Sequence, residues 1–117
     1  MESESALLGW LRRRLKGSPS LLLGPGDDAA VVRLADRRAV FHVDQCVEGR
    51  HFRRGTPWRQ AGAKAVLRCA SDLAAMGCRP VAALVAAALP PRMSSSDRRQ
   101  LVLGMESAAR SCGIAIA

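Results

Sequence analysis

Aromatic side chains are scarce in this 117-residue chain, which has two tryptophans, two phenylalanines and no tyrosine, 3% of the sequence. Alanine, valine and leucine must therefore fill the interior, which requires closely packed helices and strands. The same scarcity removes the stacking platforms on which single-stranded nucleic acids bind. Long apolar runs are missing too: the longest, Val81 to Leu89, falls well short of the roughly 20 residues needed to cross a bilayer. Near the N-terminus the arginines follow the short apolar stretch Ala6 to Trp10, whereas a secretory leader carries its charge first. A soluble, cytoplasmic protein with no membrane partner is expected.

Cysteine is present but unpatterned. Cys46, Cys69, Cys78 and Cys112 lie at wide, irregular spacings that match neither a zinc site nor a compact disulfide framework, so they read as reduced, half-buried small side chains. Acidic residues are also in short supply, 10 against 18 basic ones, for a formal net charge of +8. The excess is almost all arginine, in runs such as Arg12 to Arg14, Arg37–Arg38, Arg53–Arg54 and Arg98–Arg99. Runs this scattered read as a solvated surface, with a polyanion partner as the alternative. In the absence of a helix-turn-helix, zinc-finger or RNA-recognition pattern, nucleic acid is not the expected partner. The length fits one domain, residues 1–117, with a modest core.

What is there is an alternation of periodicities. Leu7, Leu8, Leu11 and Leu15 recur at helical spacing until Gly17 and Pro19 interrupt them. Leu21 to Leu23 lead into a glycine turn, and Ala29 to Leu34 read as a strand. RRAVFHVDQCV, residues 37–47, reads as a second strand with Val40, His42, Asp44 and Cys46 on one face and Phe41, Val43, Gln45 and Val47 on the other. The short link at Asp36 to Arg38 predicts a hairpin. Thr56 and Pro57 read as N-cap and first-turn proline of a helix from about Trp58 to Met76, closed by Gly77, with Val66, Cys69, Ala70, Leu73 and Met76 on its buried face.

PVAALVAAALPP, residues 80–91, has no polar alternation and reads as a strand covered on both faces. SSSD caps a further helix with the stripe Leu101, Val102, Met105, Ala109 and Cys112 and a stop at Gly113, after which IAIA reads as a strand. The expected fold is α/β, an α+β layer with a mixed sheet of about four strands and helices packed on one face. Because the chain ends on an apolar strand, a fragment or a truncated reading frame is expected.

Four acidic positions interrupt apolar or glycine-rich settings: Asp27 and Asp28 in GPGDDAAVV, Asp44 within a strand, and Asp72 within CASDLAAMG. If strands and helix bring them to one end of the sheet, converging carboxylates with no lysine in reach form a hard-cation site, most economically for Mg2+. Bare aspartates repel polyphosphate oxygens but are bridged to them by the metal, and Arg50, Arg53 and Arg54 are placed to clamp what remains. The competing reading makes Asp27 a turn former, Asp44 a strand-end residue and Asp72 a solvated helix position. His51, in VEGRHF, reads as a structural hydrogen bonder or a substrate contact, and His42 as a partner of Asp44 on the shared strand face.

GDDAAVV, VDQCVEGRHF and AGAKAVLRCASDLAAMGCRPVAALVAAALP resemble, in order and separation, the N-terminal domain of the thiamine-monophosphate kinase family. That family belongs to a superfamily with aminoimidazole ribonucleotide synthetase, selenophosphate synthetase and the hydrogenase maturation dehydratase. SDLAAMG and the twin aspartate are shared across several members, and VEGRHF points to the thiamine-monophosphate branch.

The resemblance covers roughly residues 5–117 and implies Mg2+-dependent transfer of the γ-phosphate of ATP to thiamine monophosphate, giving thiamine diphosphate. It implies Asp28, Asp44 and Asp72 as metal ligands, Asp27 as their support, His51 as a substrate contact, and a homodimer formed sheet to sheet through the segments 29–34 and 39–47. The family's serine or threonine, then threonine, before the strand aspartate are here His42 and Val43. Val43 offers the metal only its carbonyl, and His42 offers a softer nitrogen.

The family's following Gly-Gly-Asp-Thr loop and second domain are missing from the chain, so this half is not expected to be competent alone. The alternatives are a related synthetase with another acceptor, and a non-catalytic dimerising or polyanion-binding module.

Overall fold

Helical periodicity in the second half of the sequence produces the two helices around which the molecule is organised. The computed structural model describes residues 4–15, 17–24 and 27–117. In chain order its elements are α1 (Glu4–Arg14), β1 (Leu21–Leu23), β2 (Ala30–Leu34), β3 (Arg37–Phe41), α2 (Trp58–Ala75), β4 (Ala82–Ala83), α3 (Ser95–Ser111) and β5 (Ala115–Ile116). This is an α+β arrangement, but the single mixed sheet expected from the sequence is two separate small sheets among the described residues. β1, β2 and β3 form an antiparallel sheet in that order, and β4 pairs with β5 in parallel.

The hairpin between β2 and β3 runs in register from Ala30–Phe41 to Leu34–Arg37, turning through Ala35 and Asp36. Ala35 takes φ 53° to make that turn, a left-handed conformation that is costly for a residue with a Cβ. The second strand expected over 37–47 ends at Phe41, and residues 42–47 leave the ladder. Their alternation outlives the pairing: Val40, His42 and Cys46 stay half-buried while Phe41, Val43 and Val47 face outward.

α2 starts without the expected threonine cap. Pro57 is the N-cap residue and no side chain accepts from the first turn, because Pro57 has displaced Thr56 one position outside the cap. The expected stop is in place: Met76 is the C-cap and Gly77 takes φ 68°. α3 opens on a complete capping box, in which the Asp97 N–H donates to Ser94 Oγ and the Ser94 N–H donates to Asp97 Oδ2, both at 3.1 Å.

The core lies between α2 and α3. One cluster joins Ala61, Met93 and Leu101, with Phe52, Trp58 and Met105 against it; a second joins Val66, Ala108 and Ala109 with Ala63, Met105 and Ile114. Gly62 and Gly104 are buried on facing sides of the helix pair and let the backbones approach. The expected α3 stripe is off by a fraction of a turn, since Val102 is exposed while Gly104 and Ala108 are buried. Of the α1 leucines, Leu8 and Leu15 are exposed, Leu11 is half-buried and the Leu7 side chain lies outside those described.

The strand expected over 80–91 shrinks to Ala82–Ala83, and its covered faces are open: Val81 is 73% and Leu84 87% exposed. The apolar run marks surface that this chain by itself does not cover. No helix of the described residues is long and apolar enough to cross a membrane.

Candidate cation and anion site

β3 delivers His42 to the flank of α2. The His42 side chain is only 8% exposed, and its Nδ1 lies 2.7 Å from the Asp28 carbonyl oxygen. A carbonyl only accepts, so Nδ1 carries a proton, and in the neutral form of the ring Nε2 presents its lone pair. Nε2 lies 2.8 Å from Asp72 Oδ2 on α2, yet makes no hydrogen bond. One ligand atom each from His42, Asp44 and Asp72 lies within 4.8 Å of the other two.

Asp44 is gripped from two directions. Its Oδ1 accepts the Gln45 N–H at 2.7 Å, and Arg68 Nη2 reaches Oδ1 at 3.3 Å and Oδ2 at 3.2 Å. Burial alone would lift this carboxyl, but the Gln45 N–H, the Arg68 guanidinium and nearby His42 outweigh it and hold Asp44 below the ordinary carboxylate range. The thiols of Cys46 and Cys69 close by are pushed up, mainly by burial, with the negative charge of Asp44 adding at both and that of Asp72 at Cys69.

The expectation of carboxylates with no lysine in reach is corrected by this geometry. Arg68 pairs with Asp44, and Lys64 lines the same groove together with Gln60, Ala63, Leu67, Ser71 and Asp72. Gln60, Lys64, Arg68 and Asp72 follow one another at intervals of four, one row along a helix. Asp28 stands near the cluster through its carbonyl. The exposed Asp27 accepts the Asp28 N–H on its Oδ1 at 2.8 Å. Val43 is 89% exposed.

A second groove begins where the first one ends, sharing Gln60 and Lys64 and adding Arg50, His51, Phe52, Arg53 and Thr56. Its loop is knitted locally. The Val47 N–H donates to His51 Nδ1 at 2.9 Å, the His51 N–H returns to the Val47 carbonyl at 2.8 Å, and the Gly49 N–H donates to the Phe52 carbonyl at 2.7 Å. Phe52 anchors the loop by packing edge-on against Trp58, with 6.4 Å between ring centroids. Glu48 ties it to Arg92. A carboxylate corner and a basic corner thus share one wall, as a phosphate ester with its counterion requires.

Comparison with known proteins identifies the family. Residues 26–117 match the family described as AIR synthase related protein, N-terminal domain. The chain is similar to the thiamine-monophosphate kinase of Mycobacterium tuberculosis, 37% identical over 115 residues, covering 97% of this chain and 34% of that protein. It is 35% identical over 123 residues to that of Rhodopirellula baltica, covering 97% of this chain and 39% of the relative. Against the Corynebacterium glutamicum enzyme the identity is 46% over 84 residues, covering 68% of this chain and 25% of the relative. The chain therefore spans about a third of the length of the curated relatives it matches.

Proposed function

Because the chain belongs to the AIR synthase related family through its N-terminal domain, we propose that it forms the cation- and phosphate-binding part of a thiamine-monophosphate kinase. The reaction is transfer of the γ-phosphate of ATP to thiamine monophosphate, giving thiamine diphosphate. The observation that carries this reading is the junction at Lys64 of a His42, Asp44 and Asp72 cluster with a groove lined by Arg50, His51 and Arg53.

The donor set fits a divalent cation: a buried ring nitrogen without a partner stands beside two carboxylates. Asp44, Asp72 and His42 would hold the metal, with Asp28 and the Val43 carbonyl completing the set and Asp27 supporting Asp28. A divalent cation bound there would supply neutralisation of phosphate charge. The protein's own groups do the rest. Asp28 fixes the His42 ring through its carbonyl. Lys64, Arg50 and Arg53 attract and orient phosphate oxygens. His51, whose Nδ1 is occupied by the Val47 N–H, keeps Nε2–H free to donate to the substrate phosphate. Positioning and charge neutralisation suffice, without a covalent phosphoenzyme.

The active protein is a homodimer. Supporting this, Leu34 and Phe41 on β2 and β3, and Val43 just beyond, are large apolar side chains more than half exposed, available to a partner. The test is calorimetric binding of a non-hydrolysable ATP analogue to this chain with and without a divalent cation. Asp72→Asn and Lys64→Ala should each weaken the cation-dependent binding by about tenfold or more. No cation-dependent binding by the folded, unmutated chain, or variants that bind as tightly as it, would reject the assignment.

A further inference from the structure

The arrangement of His42 does more than suggest a cation; it selects among cations. Nε2 and Asp72 Oδ2 are 2.8 Å apart without a hydrogen bond between them, and in the neutral ring both atoms present lone pairs. Neighbouring ligands on one octahedral ion, with bonds of about 2.1 Å, stand about 3 Å apart, with both lone pairs converging on a third point. Two lone-pair atoms at that separation, with no hydrogen bond between them, match the spacing of neighbouring ligands on an ion. The Nδ1 contact to the Asp28 carbonyl is the outer contact that fixes the tautomer of a metal-binding histidine.

Magnesium is a poor match for the resulting set, because it demands oxygen ligands, whereas His42 contributes nitrogen and Val43 has no side-chain donor. We infer that His42 Nε2, with the Asp44 and Asp72 carboxylates, forms a site for an imidazole-accepting divalent transition metal of the Mn2+, Co2+ and Zn2+ class, in preference to Mg2+. The inference rests on reading this cluster as a cation site. Arg68 is the resident counterion of Asp44 and gives way, wholly or in part, when the metal enters.

The test is binding rather than turnover. The protein, prepared without a polyhistidine tag, is titrated with Co2+ by visible absorption and calorimetry, with Zn2+, Mn2+ and Mg2+ as competitors. The same titrations are run on His42→Thr, His42→Asn, Asp72→Asn and Asp44→Asn, each checked for cooperative unfolding. In the unmutated protein, 15N spectra follow the ring nitrogens during Zn2+ addition, a readout that needs no variant to fold.

The expected result is an absorption spectrum of nitrogen and oxygen ligation, and a His42 Nε2 resonance that moves with Zn2+. The His42 variants should lose about tenfold or more in Co2+ affinity while Mg2+ affinity is unchanged or improved. Equal effects of the His42 variants on Co2+ and Mg2+, an unmoved Nε2 resonance, or a thiolate charge-transfer band placing the metal on cysteine would overturn it. If His42 is irrelevant but Asp44→Asn and Asp72→Asn abolish Mg2+ binding, the cation site stands and only the preference falls. If those two variants bind every metal normally, the cation-site reading falls with it.

Discussion

The α-carbon of Gly62 faces the carbonyl of Leu101 so closely that a methyl group on Gly62 would overlap the oxygen; Gly104 stands in the same relation to the Arg59 carbonyl. Two helices thus touch backbone to backbone at two reciprocal points. Gly62→Ala or Gly104→Ala must push α2 and α3 apart, since no flexible side chain is available to yield. Each should cost about 1–3 kcal/mol or more, read from denaturant midpoints. Gly17→Ala, where an added Cβ meets nothing within 4 Å, should stay within about 0.5 kcal/mol. Equal behaviour of the three would contradict the close approach.

The capping box gives a second stability prediction. Ser94→Ala removes the oxygen that accepts the Asp97 N–H and should destabilise the protein by about 1 kcal/mol. Ser94→Asp retains an acceptor and should recover most of that loss in thermal unfolding.

Ala35 is strained at φ 53°. The left-handed conformation costs about 1–2 kcal/mol for a residue with a Cβ, and glycine returns part of the gain through the larger entropy of the unfolded chain. Ala35→Gly should therefore raise stability by up to about 1 kcal/mol, seen as a higher melting temperature; a lower one would show that the turn is relaxed.

The Asp44 pKa is lowered, so its contribution to stability is present above the ordinary carboxylate pKa of the unfolded chain. It is lost as pH falls through the lower folded value. Carboxyl NMR titration should find Asp44 below the usual range, and Arg68→Met should move it upward. Because both side chains are partly exposed, the pair contributes no more than about 1 kcal/mol.

Cys46 and Cys69 have raised thiol pKa values, the thiolate being the form that burial disfavours. Alkylation of both in the folded protein should be slower than that of an unfolded control at neutral pH and should accelerate only above the ordinary thiol range, as followed by mass spectrometry.

Local chemistry was legible where the chain decides its structure locally. Ser94 with Asp97, Gly77 and Gly113 at helix ends, and the 3.6-residue rhythm of α2 and α3 all correspond to observed elements. Residues 80–91 were misread because a purely apolar run signals that a surface is covered, without saying by which molecule or segment; within this chain Val81 and Leu84 are open. In the site, the aspartates announced themselves by interrupting apolar runs. Arg68 did not, because a cation on a helix surface is ordinary until the helix is set against Asp44. The orphaned Nε2 of His42 was beyond sequence reading altogether, as it depends on the Asp28 carbonyl reaching across from the other side of the hairpin.

The row Gln60, Lys64, Arg68 and Asp72 makes α2 a ruler. Its marks are about 6 Å apart and the whole scale is about 18 Å long. Each mark is turned about 40° from the last, so the row winds from the basic loop toward the carboxylates while Lys64 overlooks both. What holds the scale steady is the glycine contact on the helix's other flank. A methyl group added at Gly104, a position that lines neither groove, would therefore change the calibration of the site without touching any of its marks.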